Sequence, residues 1–357
     1  MPAAHILTYA RDLRGGGVER ALLRLADGWT AAGRRVTLVL GDAGGPLATA
    51  LPAAVEVVEI GDTSMRRLLG AVPLDVRARR PDLIFCPGNH YTSVAAWTRA
   101  RLGGACPPIV AKMSNAVRRG DHGAVLDAAH RAWLRLHARF FDHLVAMTPA
   151  TAAEAARATG MTGRTSVIPN PPPMQALHAE RLPLPDGPFI LGVGRLARQK
   201  RWDRLIAAMP ALAGVPVVVL GEGDERGSLL AQATALGVAE RLHLPGHAAD
   251  PLAAMARAAV LALPSDFEGA PGVLREALSV GTPVVATDSS PSVREIVWDR
   301  TLGTVVARDD AAGLVAALRW WLTAARPEPV PMPGKDAAAR YLALFDRLVD
   351  GAACQSP

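Results

Sequence analysis

The chain is 357 residues long, half of them apolar and a fifth charged, with a formal net charge of +6 and three cysteines. That length exceeds what one core usually fills, so two domains of about 150 residues are expected. The composition excludes general disorder, and the unpatterned Cys86, Cys106 and Cys354 exclude a disulfide framework or zinc ribbon and point to a reducing compartment.

Strand-length apolar runs and helix-length stretches alternate from the start. Residues 5–10 predict a first strand, 18–32 a helix and 36–40 a second strand, with further strands at 55–60, 83–86, 109–112, 144–147 and 166–168. Continuous β-branched runs bounded by turn residues are the pattern of parallel strands covered by helices on both faces. A doubly wound α/β sheet is therefore predicted. Asn170, the prolines at 171–173 and the Pro- and Gly-containing stretch 182–188 interrupt regular structure and mark a boundary. The alternation restarts at 189–193, 215–220, 242–244, 260–263 and 283–287, with a helix at 202–209, predicting a second domain of the same kind. A helix over 314–322, a Pro-rich linker at 327–334 and a last helix at 337–349 follow. The expected division is 1–172, 173–335 and a C-terminal helix segment, 336–357, packing back on the first domain. Two Rossmann-like domains facing each other leave an interdomain cleft at the carboxyl ends of their strands, where ligands bind in this architecture.

No run of 18 apolar residues occurs, since Arg257 interrupts the best candidate, and residues 1–10 lack the features of a leader. A cytoplasmic chain that does not span the membrane is expected. Residues 1–170 hold 21 of the 39 basic and 13 of the 33 acidic side chains, so the first half is the basic one. Such a surface suits an anionic membrane or a phosphorylated acceptor. Nucleic acid is not expected, because aromatics are only 4% and no binding signature appears. On residues 130–147, Arg131, Arg135 and Arg139 form a basic stripe beside Trp133, Leu134, Leu136, Phe140 and Phe141. That segment either meets anionic lipid or, as such helices more often do, packs its apolar face on the sheet.

Glu268 and Glu276 are separated by seven residues that include Gly269, Pro271 and Gly272. Within one helix the two carboxylates would stand about 12 Å apart along the axis, too far to share a ligand atom. Proline and glycine instead place a helix start near Pro271, with Glu268 in the loop before it and Glu276 a turn inside. The amides of Gly272, Val273 and Leu274 then point out of that start, where the dipole favours a phosphate. A diphosphate flanked by carboxylates for the hydroxyls of a sugar and a ribose describes a nucleotide sugar. A surface loop and a helix with two solvated glutamates is the plain alternative.

Other motifs lie at predicted strand ends. Gly16 and Gly17, ahead of Val18-Glu19, let the backbone approach a ligand where the first helix opens. Gly194-Arg195 and Lys200 follow the first strand of the second domain, offering a planar fork and a point charge that together replace a divalent metal at a diphosphate. No D-x-D pair occurs, so no metal is expected. Gly221-Glu222 and Gly246-His247 end two further strands where a base or ribose would rest, although either is also an ordinary turn. His90, Ser114, Asn115, Arg118 and Arg119 are candidates to face an acceptor, each also readable as plain surface.

With these pieces in order, the chain resembles the retaining, metal-independent glycosyltransferases of the GT-B fold, family 4. The resemblance runs from Gly-Gly-Val-Glu near the start, through Gly194-Arg-Leu-x-x-Gln-Lys200 and Pro264-Ser-x-x-Glu-Gly269, to the block from Glu276 to Asp288. It implies a catalytic set of Glu268, Arg195 and Lys200. By resemblance Arg195 and Lys200 hold the donor diphosphate, Glu276 binds the ribose hydroxyls and Glu268 stands beside the donor sugar. Gly269, Ala270, Pro271, Gly272, Val273 and Leu274 match the helix start that meets phosphate, and Gly16 and Gly17 the loop that closes over the donor. No cofactor is implied, only a nucleotide-diphosphate sugar such as a UDP-sugar, whose anomeric configuration is retained by front-face attack. The acceptor implied is a glycan or polyprenyl-linked glycan at the inner face of a bacterial membrane.

Two departures bear on specificity. Many relatives read Glu-Gly-Phe-Gly where this chain has Glu268-Gly-Ala-Pro-Gly272, so Ala270 reshapes the sugar pocket. Many also carry a histidine where this chain reads Lys112-Met-Ser114-Asn115, and whether Ser114, Asn115 or neither takes its place is left open. The competing expectations are a nucleotide-sugar epimerase or hydrolase on the same scaffold, and a non-catalytic glycan-binding protein.

Overall fold

The computed structural model describes residues 2–14, 16–117, 123–173, 182–212, 214–248 and 250–353. Their contacts form two compact units, Met1–Pro173 with Pro333–Pro357, and Met174–Met332.

The first unit is a parallel sheet of β1 (His5–Asp12), β2 (Arg35–Asp42), β3 (Glu56–Glu59), β4 (Leu83–Cys86), β5 (Ile109–Lys112), β6 (His143–Ala146) and β7 (Thr165–Val167), in the order β3-β2-β1-β4-β5-β6-β7. The connections carry α1 (Gly17–Ala31), α2 (Met65–Arg79), α3 (Thr92–Leu102), α4 (Ala124–Leu136) and α5 (Pro149–Thr159). In the second unit β8 (Ile190–Val193), β9 (Val217–Leu220), β10 (Leu242–Gly246), β11 (Val260–Leu263), β12 (Val284–Thr287) and β13 (Gly303–Val306) run in the order β10-β9-β8-β11-β12-β13. Its helices are α6 (Trp202–Ala208), α7 (Arg226–Ala235), α8 (Leu252–Arg257), α9 (Gly272–Ser279), α10 (Pro291–Ile296) and α11 (Ala311–Trp321). The last helix, α12 (Ala337–Ala353), belongs to the first unit.

The second unit shows why its strands read as unbroken apolar runs. Ile190, Val217, Val219, Val260, Ala262 and Val285 join one buried cluster, while their neighbours Leu191, Val218, Leu220, Leu261, Leu263, Val284 and Ala286 join another. Successive strand residues point to opposite faces, and both faces are roofed by helices. In the first unit, Trp29 of α1 meets Phe85 of β4 and Phe345 of α12 edge-on, with ring centroids 5.2 and 5.3 Å apart. The C-terminal helix is thus part of that core.

The sequence reading does not anticipate β13. Gly303 opens it because a Cβ there would fall 2.2 Å from Val284 O of β12, and a four-residue strand opened by glycine reads as a turn. Among the described residues no helix is long and apolar enough to cross a membrane. In each sheet the strand order reverses once, between β1 and β4 and between β8 and β11. Connections leave such a switch point in opposite directions, which opens a crevice at the carboxyl ends of its two strands.

Candidate functional site

At the switch point of the second unit, β8 delivers Gly194 to Lys200 and β11 delivers Ser265 to Glu268. Lys200 Nζ donates to Glu268 Oε1 at 2.6 Å and Ser265 Oγ donates to the same oxygen at 2.7 Å. Glu268 and Ser265 are buried. The two loops are also laced through their backbones, since Asp266 N donates to Gln199 O at 2.9 Å and Gln199 Nε2 to Phe267 O at 2.7 Å. Arg201 and Arg204 brace the same loop through Asp266, at 3.2 and 2.8 Å. Beside it, Arg195 is exposed and its guanidinium has no partner among the described residues.

Helix α9 starts beyond Glu268. Pro271, in extended conformation, is its N-cap residue and supplies no side-chain cap, so Gly272 and Val273 lead with amides that have no partner among the described residues. Leu274 departs from expectation: its amide donates to Pro271 O at 3.2 Å, because the helix opens with a tight turn that consumes that N–H. Gly269 is fixed from behind, its carbonyl accepting from Ser290 Oγ at 2.8 Å and also from Ser292 Oγ. Ala270 and Glu276 are half-buried, the latter in the second turn of α9.

The loops after β8, β9 and β10 lie edge to edge. Gly221 N donates to Gly246 O at 2.7 Å, and a Cβ on Gly221 would stand 2.0 Å from Gly194 O, so only glycine allows this approach. Gly246 sits at φ +100°, a conformation other residues rarely adopt. Glu222 is exposed and accepts from Arg226 at 2.9 Å, and His247 is half-buried.

In the first unit, Gly16 is the N-cap residue of α1 and Gly17 its exposed first residue. Glu19, which sequence reasoning left out of the site, is the centre of this edge. It accepts from Tyr91 Oη at 3.2 Å and faces His90 Nε2 at 3.6 Å. Burial alone would raise its carboxyl, yet the neighbouring His90 imidazole, its own amide and the Tyr91 hydroxyl hold it below the ordinary glutamate range. Asn89 links the neighbouring loop, its Oδ1 accepting from Ser114 Oγ at 3.3 Å and from Asn115 N at 3.0 Å. His90, Ser114 and Asn115 therefore share the carboxyl edge of β4 and β5, whereas Arg118 and Arg119 lie outside the described residues.

Lys112, buried at the end of β5, donates to Asn170 Oδ1 at 3.1 Å. On α4 and the turn after it, Leu134, Phe140 and Phe141 are buried while Arg131, Arg135 and Arg139 are exposed, so the apolar face packs inward. Arg131 is paired with Asp127. An open depression lined by Arg14, Asp42, Glu59, Gly61, Asp62 and Thr63 lies at the ends of β2 and β3, and its three carboxylates do not suit a diphosphate.

The residues missed from sequence are Ser265, Ser290, Ser292, Glu19 and Tyr91. The spacing Pro264-Ser265-x-x-Glu268 and the triplet Gly17-Val-Glu19 were the available signals for two of them.

Residues 15–175 match the family model described as Glycosyltransferase Family 4, and residues 174–331 match that described as Glycosyl transferases group 1. Lipopolysaccharide core biosynthesis glycosyltransferase LpsE of Rhizobium meliloti is 34% identical over 133 residues, 37% of this chain and 39% of that protein. The Campylobacter jejuni N-acetylgalactosamine-N,N'-diacetylbacillosaminyl-diphospho-undecaprenol 4-alpha-N-acetylgalactosaminyltransferase is 36% identical over 135 residues, 38% of this chain and 37% of that protein. The chain thus spans about two fifths of these curated relatives' length. Among solved structures, Anabaena HepE in complex with UDP-glucose matches 99% of this chain and 100% of its own, with a TM-score of 0.71 and 21% identity. Sucrose-phosphate synthase from Thermosynechococcus elongatus matches 98% of this chain and 96% of its own, with a TM-score of 0.72 and 20% identity. These structures share the fold.

Proposed function

The chain belongs to the group 1 and family 4 glycosyltransferases and has the two Rossmann-like sheets of their GT-B fold, and from that membership we propose that it is a retaining, metal-independent hexosyltransferase. It moves a sugar from a nucleotide-diphosphate sugar to a saccharide or lipid-linked saccharide in the synthesis of a bacterial surface glycan. The observation that carries this reading is the meeting, at the β8/β11 switch point, of the Lys200–Glu268 pair with an Arg195 guanidinium and two leading amides of α9 that have no partner among the described residues. Cations and amides of this kind bind a diphosphate, and a buried carboxylate beside them suits the hydroxyls of the group attached to it.

Arg195, Lys200 and the amides of Gly272 and Val273 hold the diphosphate, Glu276 receives the ribose hydroxyls and Glu268 the sugar. The acceptor hydroxyl attacks the anomeric carbon from the face that the phosphate leaves. A carbon–oxygen bond forms as the bond to phosphate breaks, and the acceptor's proton passes to the departing phosphate oxygen. Positive groups already fixed around that oxygen stabilise its growing charge without reorganising. They do the work of a metal, so a chelator leaves the rate unchanged.

A UDP-sugar is the preferred donor because the Anabaena protein of the same fold is in complex with UDP-glucose. A polyprenyl-linked glycan is the preferred acceptor because the Campylobacter relative is named for a diphospho-undecaprenol substrate. On this reading the acceptor meets His90, Ser114 and Asn115, and the protein works in the cytoplasm at the inner face of the membrane. The test is transfer from UDP-sugars by the wild type, Arg195→Ala and Glu276→Gln. Each substitution is expected to raise the donor KM at least tenfold or abolish transfer while the melting curve stays intact. Wild-type kinetics in both variants would sink the assignment, and complete loss of activity in EDTA would sink the metal-free mechanism.

A further inference from the structure

Glu268 is held by one oxygen only. Lys200 Nζ and Ser265 Oγ both donate to Oε1, whereas Oε2 has no partner among the described residues and is not one of the buried atoms that lack one. The last torsion of a glutamate side chain is broad and roughly two-fold, so a single donor would leave the carboxylate free to swing. Two donors converging on one oxygen remove that freedom.

Ser265 is itself immobilised. It is fully buried, its carbonyl accepts from Thr287 Oγ1 at the end of β12, and the next residue's amide is tied to Gln199 O at 2.9 Å. The amide of Glu268 donates to Ser289 O at 3.1 Å, fixing the same loop at its far end. The backbone of Ser265 is therefore held between β11 and the end of β12, and its buried hydroxyl is spent on Glu268 Oε1 at 2.7 Å.

From this geometry we infer that Ser265 is a positioning residue that sets donor-sugar specificity. By pinning Oε1 it presents Oε2 as the one oxygen of Glu268 open to a sugar hydroxyl. Donors are then told apart by the configuration at the carbon bearing that hydroxyl. The inference rests on the reading above in which Glu268 stands beside the donor sugar. A fixed acceptor discriminates because an epimer whose hydroxyl points elsewhere leaves the carboxylate desolvated and unpaired, whereas a swinging carboxylate follows the hydroxyl to either position.

The test uses the full chain and three epimeric pairs: UDP-glucose with UDP-galactose, UDP-N-acetylglucosamine with UDP-N-acetylgalactosamine, and GDP-glucose with GDP-mannose. Binding of each, and of free UDP and GDP, is measured by calorimetry for the wild type, Ser265→Ala, Ser265→Cys, Glu268→Gln and the Ser265→Ala/Glu268→Gln double variant. The wild type is expected to prefer one member of a pair at least tenfold. Ser265→Ala and Ser265→Cys are expected to keep the affinity for the free nucleotide but to shrink that preference to under threefold. In the Glu268→Gln background, Ser265→Ala is expected to change nothing further, because the serine acts through the carboxylate. Unchanged preference in a serine variant that still binds the free nucleotide overturns the inference alone, as does a wild type that binds both epimers equally. A wild type that binds no nucleotide and no nucleotide sugar overturns the reading of the site, and the inference with it.

Discussion

Tyr91 places its hydroxyl between Arg11 and Glu19, accepting the Arg11 amide at 2.9 Å and donating to Glu19 Oε1 at 3.2 Å. It thereby ties the end of β1, the start of α1 and the loop after β4 at one point. Tyr91→Phe leaves both partners short of a bond and is expected to cost about 1–3 kcal/mol. Tyr341 offers the control, because its buried hydroxyl has no partner among the described residues. Tyr341→Phe is expected to be neutral or stabilising. Urea melts of the two variants check the contrast, and equal destabilisation would contradict the bonding described for Tyr91.

Burial lowers the Lys112 pKa from the usual 10.5 to about 8. Between those values the unfolded chain holds a proton that the folded chain has released, so this group makes stability rise with pH across that window. Below about pH 8 the full cost of burying the charge, about 3 kcal/mol, is present. Cys86 and Cys106, pushed up to about 12 and about 11, oppose the trend, so the informative quantity is a difference between proteins. Lys112→Met is expected to gain stability over the wild type at pH 7 and to lose that advantage towards pH 10.5. An advantage that does not vary with pH would show that Lys112 is not the titrating group.

His137 is buried among Trp133, Phe140 and Phe141 with neither ring nitrogen bonded to any of the described residues, and burial lowers its pKa to about 4. As pH falls from about 6.5 to about 4, the unfolded chain takes up a proton that the folded chain refuses, so stability drops across that window. His137→Phe fits the same aromatic cage without a titrating group. It is expected to match or exceed wild-type stability at pH 7 and to lose about 3 kcal/mol less by pH 4. Denaturant midpoints at pH 7, 5.5 and 4 measure this, and parallel losses in both proteins would refute it.

Helix α4 exposes Val125 and Leu126, 82% and 63% accessible, in its first turn, and Arg135 in its last turn and the following Arg139 are exposed too. Apolar contact with charge attraction predicts binding to anionic vesicles that weakens as salt screens the arginines. Replacing Arg135 and Arg139 by Gln is expected to cost about 1 kcal/mol each, roughly a fivefold loss of partition per residue. Equal partitioning of the wild type into neutral and anionic vesicles would remove the idea.

What the sequence determined by itself was local. Unbroken β-branched runs meant strands buried on both faces, the prolines at 171–173 meant a break, and Pro271-Gly272 meant a helix start. Each follows from backbone sterics or from a repeat of 2 or 3.6 residues, which neighbouring residues express without help. Gly303 hid β13 for the same reason, since its need for glycine comes from β12 and not from its own neighbours. Tertiary structure alone decided which groups meet. Lys200 finds Glu268 across 68 residues, Ser290 and Ser292 reach back to Gly269, and Glu19 is joined to Tyr91 across 72. Those partnerships exist because parallel strands align their carboxyl ends along one edge and the strand order reverses between β8 and β11 and between β1 and β4. Motif spacing marks residues that carry chemistry, but sheet order settles which charge neutralises which, and so which oxygen stays open to a ligand.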